Sequence, residues 1–150
     1  MSPETPPAAQ PENEPSRRGG QAPFGPEAAA SAERSLSTLH DPDDALRILH
    51  GIEQAGASFA AYLLLPDTNL AAPDILESFY NSYADAWETF AEFRRDVLEG
   101  LGWLQALEKV MSEQGIPDDH LSWNYAAVDK NILDTYDVVR LDGWWHVFNK

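Results

Sequence analysis

The chain has 150 residues, a length suited to one domain of ordinary size. Its 25 Asp and Glu residues outnumber 10 Lys and Arg residues, which gives a formal net charge of −15. This surplus argues against direct binding to nucleic acid or to an anionic membrane, because both need positive charge to neutralise phosphate. It favours a partner that is itself basic, or indicates simply a highly soluble protein. The chain has no cysteine, which excludes disulfides, thiolate nucleophiles and zinc sites built on sulfur.

The apolar content is sufficient for a buried core, since 43% of the residues are hydrophobic and five of them are Trp. No apolar run approaches the roughly 20 residues that a bilayer-spanning helix needs. The N-terminus lacks the positive start and the apolar stretch of a secretion signal. We therefore expect a cytoplasmic protein that does not associate with membranes.

Residues 1–40 are predicted to form a disordered tail. They hold almost no large apolar side chains, so they cannot bury enough surface to offset the entropy of ordering. Prolines interrupt the segment repeatedly, at Pro3, Pro6, Pro7, Pro11, Pro15, Pro23 and Pro26. Most of the negative charge lies after this tail, in the domain that we predict for residues 41–150.

A first helix is predicted from Asp41 to Gly56. Asp41 can cap the helix with Pro42 at its first position, and glycine is favoured just after a helix C-terminus. The apolar residues between them recur every three positions, as one face of a helix requires, at Leu46, Leu49 and Ile52.

The next apolar run, Phe59–Leu65, is interpreted as a buried strand, with a helix as the alternative. A second helix is then expected from Pro73 through Tyr80. The segment Ser82–Asp85 resembles a capping box, which predicts a further helix that ends near Gly100 or Gly102.

Two more helices are predicted at Trp103–Gln114 and at about Ser122–Leu133. The sequence then changes to two short β-rich runs, Val138–Leu141 and Trp144–Phe148, separated by Asp-Gly. Asp-Gly between such runs is typical of a β-hairpin. The predicted fold class is therefore α+β, with several helices packed against a small C-terminal antiparallel hairpin and Phe59–Leu65 as a possible third strand.

Acidic residues recur at helical spacing in the helix predicted from Tyr83 to Gly100. At about 100° per residue they occupy a stripe roughly 80° wide, composed of Asp85, Glu88, Glu92, Asp96 and Glu99. The opposite side is apolar and is the expected core face. Like charges three or four residues apart destabilise a helix slightly, and no lysine relieves them here. The row could take the place of DNA phosphates, and further acids extend it at Glu108, Glu113, Asp134 and Asp137. The alternative is an ordinary solvated helix face.

Three segments together resemble the ArdA family of antirestriction proteins. They are an aromatic, acidic entry into a helix at residues 79–91, the stretch 121–132, and the Asp-Gly-Trp-Trp-His-Val-Phe ending at residues 142–148. The resemblance implies an acidic protein, dimeric in that family, that imitates bent B-form DNA. Such a protein occupies the DNA groove of type I restriction–modification enzymes. The chain departs from the family pattern at Asn124, Ala126 and Lys130, and the family's N-terminal β-rich domain is replaced by the Pro-rich tail.

The leading hypothesis is a non-enzymatic DNA mimic without metal or cofactor. The main alternative is an acidic adaptor that binds a basic protein without imitating DNA. A third hypothesis is a small hydrolase or metal protein. Its activity would depend on His120, beside Asp118 and Asp119, or on His146. The chain has no nucleophile elbow and no Gly-rich phosphate loop, and the histidines lack ligand spacing. We expect His146 to be a strand side chain with a hydrogen-bond partner.

Overall fold

A computed structural model describes residues 17–150. Within that range the chain forms eight helices and three strands. The helices are α1 (Arg17–Gly20), α2 (Pro26–Ser37), α3 (Pro42–Ala55), α4 (Ala57–Tyr62), α5 (Ile75–Ser82), α6 (Phe90–Gly100), α7 (Trp103–Gln114) and α8 (Tyr125–Thr135). The strands are β1 (Tyr83–Trp87), β2 (Tyr136–Leu141) and β3 (Trp144–Asn149). The α+β class and the C-terminal antiparallel hairpin are confirmed.

The strands form one antiparallel sheet in the order β1-β3-β2. Leu141 pairs with Trp144 across the tight turn that joins β2 to β3. Both turn residues have positive φ, 49° at Asp142 and 84° at Gly143. This is the conformation that Asp-Gly adopts readily in two-residue hairpins, because its twist matches that of the strands.

The third strand is β1, so the interpretation of Phe59–Leu65 as a strand is wrong. The run begins inside helix α4, whose residues Ala57 to Ala61 are all buried. A short helix enclosed on every side has no polar face, so its sequence shows no helical period and resembles a buried strand.

The prediction of disorder through His40 is also wrong, because residues 26–37 form helix α2. The residues that face inward are small and recur at helical spacing, at Ala28, Ser31, Ala32 and Ser35. Small side chains let α2 approach α4 closely, and the Ser31 hydroxyl donates a hydrogen bond to the carbonyl of Ala60 at 2.8 Å. The part of the predicted tail at residues 1–16 lies outside the described residues.

Two apolar cores lie on either side of the sheet. The first core is formed mainly by α2–α5 and includes Phe59, Phe79 and Phe148. The second core lies among β1, α6 and α8 and contains Trp87, Phe93, Ile132 and Val147. Val147 and Phe148 are consecutive in the central strand β3 and point to opposite faces. One strand therefore contributes to both cores.

The predictions for three other helices are close to the structure. Asp41 caps α3 by accepting a hydrogen bond from the backbone N–H of Asp43 at 2.9 Å. Helix α7 has the predicted bounds, whereas α8 begins three residues later than expected because Asn124 caps it. None of the helices within residues 17–150 combines the length and apolarity that crossing a membrane requires.

Candidate functional site

The predicted acidic stripe does not lie on one helix. Helix α6 begins after Thr89, whose side chain and that of Glu92 form the capping box that had been predicted at Ser82–Asp85. The earlier residues pair with β3 instead, and the aromatic residues at the two ends of Tyr83–Trp87 suit a strand. The expectation of a five-carboxylate helical face is therefore wrong.

Helix α6 retains three of the five acids. Glu92, Asp96 and Glu99 are spaced by four and three residues, which places them on one side of the helix. Asp85 lies in β1, and Glu88 lies in the short connection between β1 and α6. The acidic surface is thus assembled from a strand, a connection and a helix.

Two of the five carboxylates bind an arginine from the start of the described chain. Nη1 of Arg18 lies 3.2 Å from Oδ2 of Asp85 and 3.3 Å from Oδ2 of Asp96. The guanidinium also lies over the Trp87 ring, 4.9 Å from its centroid. The indole N–H of Trp87 donates to Asp96 at 2.7 Å, and the backbone N–H of Gly19 donates to Asp85 at 3.1 Å. Asp85 and Asp96 are consequently held in place and partly neutralised.

The other three carboxylates of the predicted stripe are exposed and form no ion pair with a side chain of residues 18–150. Within residues 18–150, no Lys, Arg or His side chain forms an ion pair with Glu88, Glu92 or Glu99. The pairing of Glu92 with the backbone N–H of Thr89 leaves its negative charge in place.

The four extension residues lie on the neighbouring elements. Glu108 and Glu113 are exposed on α7, with no ion pair to any side chain of residues 18–150. Asp134 on α8 pairs with Lys130 at 3.1 Å, and Asp137 on β2 lies 4.0 Å from the amine of Lys150. These contacts are solvent-exposed, and ion pairs of that kind contribute little stability.

Three of these acids lie in the last turn of a helix. They are Glu99 in α6, Glu113 in α7 and Asp134 in α8, and none of these last turns contains a basic residue. A helix C-terminus carries partial negative charge, so each carboxylate there costs roughly 0.3–1 kcal/mol at low salt. The arrangement therefore lowers the stability of the fold.

An apolar cavity opens beside this charge, between α6, α7 and α8. Its volume is about 260 Å³, and its lining includes Leu98, Leu101, Trp103, Val128 and Ile132. Leu101 is 53% exposed and Trp103 is 48% exposed. The α6–α8 part of the molecule therefore presents both carboxylates and accessible apolar side chains.

The histidines of residues 17–150 do not gather with other potential ligands into a metal site. His146 is fully buried, and its Nδ1 lies 3.1 Å from the Ser58 hydroxyl, which in turn donates to the Tyr83 hydroxyl at 3.1 Å. This confirms that His146 is a strand residue with a hydrogen-bond partner. Burial lowers the pKa of His146 to about 4 although Asp142 acts in the opposite direction. His120 is exposed beside Asp119, and within residues 17–150 no three His, Asp or Glu side chains gather as metal ligands would.

Two further acids have a structural role. Asp129 on α8 accepts two hydrogen bonds from Arg94 on α6, both at 2.7 Å, and thereby links the two helices. Asp142 accepts hydrogen bonds from the backbone N–H groups of Gly25, Glu27 and Ala28 at 2.9, 2.9 and 3.0 Å. The hairpin turn thus caps helix α2.

Comparison with known proteins gives no match to any protein-family model, to any curated protein or to any solved structure.

Proposed function

We propose that this protein is an acidic DNA mimic of the ArdA type, which occupies the DNA groove of a type I restriction–modification enzyme. Two observations support the proposal. Three segments of the sequence resemble that family, and residues 18–150 carry exposed carboxylates that form no ion pair with side chains in that range. The proposal places the protein in the cytoplasm, where it acts by binding rather than by catalysis, either as a monomer or as a homodimer.

The observation that carries the proposal is the exposed charge of Glu88, Glu92 and Glu99, together with that of Glu108 and Glu113, because none of them forms an ion pair with a side chain of residues 18–150. A groove that binds DNA is lined with Lys and Arg that normally contact phosphates. Carboxylates that form no ion pair within residues 18–150 can take the place of those phosphates, because no ion pair in that range must first be broken. Glu99 and Glu113 also oppose the helix dipole, so the fold itself gains nothing from them.

The surface is smaller and less regular than the stripe predicted from spacing. Arg18 neutralises part of the charge at Asp85 and Asp96, which leaves a row of carboxylates sparser than a phosphate backbone. We therefore expect the protein to displace DNA from a limited part of the groove. Because the attraction is electrostatic, the affinity should fall steeply as salt rises.

The test is displacement of labelled duplex DNA from a purified type I restriction–modification enzyme, at low and at physiological salt. The variant Glu88→Gln/Glu92→Gln/Glu99→Gln removes three negative charges, and glutamine can still complete the capping box at position 92. We expect about a tenfold loss of displacement at low salt, as for charges at the rim of an interface.

The matched control is the variant Glu33→Gln/Asp67→Asn/Glu77→Gln, which removes three charges elsewhere. All three of these acids are exposed, on the part of the chain that surrounds the first core. It should displace DNA as well as the unmodified protein does. Equal losses in the two variants would mean that net charge alone matters. Failure of the unmodified protein to displace DNA from several such enzymes would contradict the proposal.

The adaptor hypothesis is favoured by one specific observation, the apolar cavity beside the acidic surface. A DNA groove offers phosphate-binding side chains, whereas an adaptor surface commonly buries apolar anchors surrounded by a polar rim. Competition with duplex DNA distinguishes the two functions. A basic partner that binds the protein without being displaced by excess duplex DNA would favour the adaptor.

A further inference from the structure

The segment Arg17–Gly20 lies against β1 and α6, and its side-chain contacts resemble those of a bound ligand. One guanidinium nitrogen of Arg18 reaches the carboxylates of both Asp85 and Asp96, at 3.2 and 3.3 Å. The same group lies over the face of Trp87 at 4.9 Å from the ring centroid. Two carboxylates and an indole face form a combination that suits the planar, delocalised cation of arginine better than the compact cation of lysine.

The residues that bind Arg18 are held by contacts of their own. The Trp87 indole N–H donates to Asp96 at 2.7 Å, which orients both the ring and the carboxylate. Asp85 accepts a hydrogen bond from its neighbour Ala86 at 2.7 Å. Trp87 is 8% exposed and belongs to the second core. Because β1, α6 and the core position these groups, we expect the site to keep its shape when the arginine leaves.

The arginine is held more loosely than the site that binds it. Its side chain is 43% exposed, and it lies in a helix of four residues. Gly19 follows it, buried against β1, where an added methyl group would overlap the Tyr83 hydroxyl. The site therefore accommodates an arginine followed by glycine, because a larger residue cannot approach the strand as closely.

We propose that Asp85, Asp96 and Trp87 form an arginine-binding site that Arg18 occupies in cis. An arginine of the basic partner takes the same site when the segment is displaced. The identity of this second occupant rests on the proposed function, since a DNA-binding groove supplies the arginine. In that setting Arg18 is an internal competitor that masks two of the five carboxylates first predicted as phosphate substitutes.

The first experiment measures the site without any restriction enzyme. The probe is the peptide acetyl-Arg-Arg-Gly-Gly-amide, which reproduces residues 17–20, titrated against the full chain while the Trp fluorescence and NMR signals are followed. The variant Arg18→Gln removes the guanidinium from the site, and Arg34→Gln is the control because it removes an exposed arginine from α2.

We expect Arg18→Gln to bind the peptide about tenfold more tightly than the unmodified chain or Arg34→Gln, since the tethered guanidinium of Arg18 no longer competes. The gain should disappear when Asp85→Asn and Asp96→Asn are added, and a Lys-Lys-Gly-Gly peptide should bind more weakly. Equal peptide affinity of Arg18→Gln and Arg34→Gln would overturn the proposal.

Gly19→Ala provides a second way to displace the segment while Arg18 is retained, in case Arg18→Gln does not fold. It should also raise the affinity for the peptide, and no gain in this variant would count against the site.

The second experiment asks whether the partner uses the site. In the DNA-displacement assay, Arg18→Gln should be more effective than Arg34→Gln at low salt. In one outcome, the peptide binds Arg18→Gln more tightly while DNA displacement by this variant is unchanged. That result would refute the binding of a partner arginine at the site but would support the arginine-binding site itself. If no variant displaces DNA, the proposed function fails, and the peptide titration still decides whether the arginine site exists.

Discussion

The half of the molecule around the first core is packed more completely than the half around the second core. In the first core, aromatic rings enclose one another, with Phe59 5.5 Å from Phe79 and Phe148 6.2 Å from Phe79 between ring centroids. The second core buries fewer side chains, and its outer helices leave Leu101 and Trp103 about half exposed. The exposed, unpaired carboxylates of the proposed surface lie on this second half. The comparison indicates that α2–α5 stabilise the fold, while β1 and α6–α8 present a surface that is less favourable for stability.

The largest expected effect is on the first core. Phe59→Ala removes a fully buried ring that also fits against Gly51, and we expect a loss of about 3–5 kcal/mol in the free energy of unfolding. Leu101→Ala in the other half should cost less than about 1 kcal/mol, because that side chain is half exposed. Urea unfolding of both variants measures the difference, and similar costs would contradict the contrast between the halves.

The next effect is a dependence of stability on pH, which arises from His146, buried beside the first core. Its pKa in the folded state is about 4 because it is buried, whereas an unfolded histidine titrates near 6.5. The folded state therefore excludes a proton that the unfolded state accepts. The stability that this group confers is complete above pH 6.5 and is lost as the pH falls towards 4, by about 3 kcal/mol in total.

Unfolding by urea at pH 7.5 and at pH 4.5 measures this loss. Protonation of surface carboxylates changes stability over the same range, so variants are needed to isolate the histidine. His146→Gln should lose much less stability between the two pH values than the unmodified protein. His120→Gln, at an exposed position, should behave like the unmodified protein. Asp142, whose pKa is lowered by backbone hydrogen bonds despite its partial desolvation, contributes a further loss only below about pH 4.

A smaller effect is expected where the hairpin caps α2. Asp142→Ala removes an acceptor for three backbone N–H groups, and we expect it to cost about 2 kcal/mol. Asp142→Asn should cost less, because asparagine can still accept hydrogen bonds and tolerates positive φ. Hydrogen exchange of the amides at the start of α2 measures the loss of the cap locally. Equal protection in Asp142→Ala and the unmodified protein would show that the cap contributes nothing.

The smallest effect has the opposite sign. Glu113→Gln removes a negative charge from the C-terminal turn of α7, and we expect it to raise stability by roughly 0.3–1 kcal/mol at low salt. Glu77→Gln, in the first turn of α5, should lower stability slightly because the dipole there favours an acid. Thermal unfolding at low and at high salt measures the change in stability of each variant. Both changes should approach zero as salt screens the helix dipole.

The sequence predicted best those elements whose signals are local. Asp142-Gly143 defines the hairpin through turn geometry alone, and Asp41 with Pro42 defines the start of α3. Signals that depend on tertiary contacts were misread. Ser82–Asp85 contains the residue types of a capping box, but Tyr83–Trp87 pairs with β3, which lies about sixty residues later in the chain. Local spacing carries no information about that pairing.

The same reason explains why the site was only partly predicted. The acids on α6 and α7 could be identified as a charge surplus, but spacing did not show which of them are neutralised. Arg18 lies 67 residues from Asp85 in the sequence and in a segment expected to be disordered. Helix α2 did carry a signal, because Pro26 follows Gly25 and the small residues after it recur at helical spacing. Their low hydrophobicity concealed it.

The central position of β3 has a consequence for how the protein is made. This strand supplies Val147 to one core and Phe148 to the other, and it is synthesised after α1–α8, β1 and β2. While the ribosome still holds residues 144–149, neither core can close, and the nascent helices expose the aromatic side chains that later surround Phe148. We therefore expect both cores to be completed only after β3 has emerged.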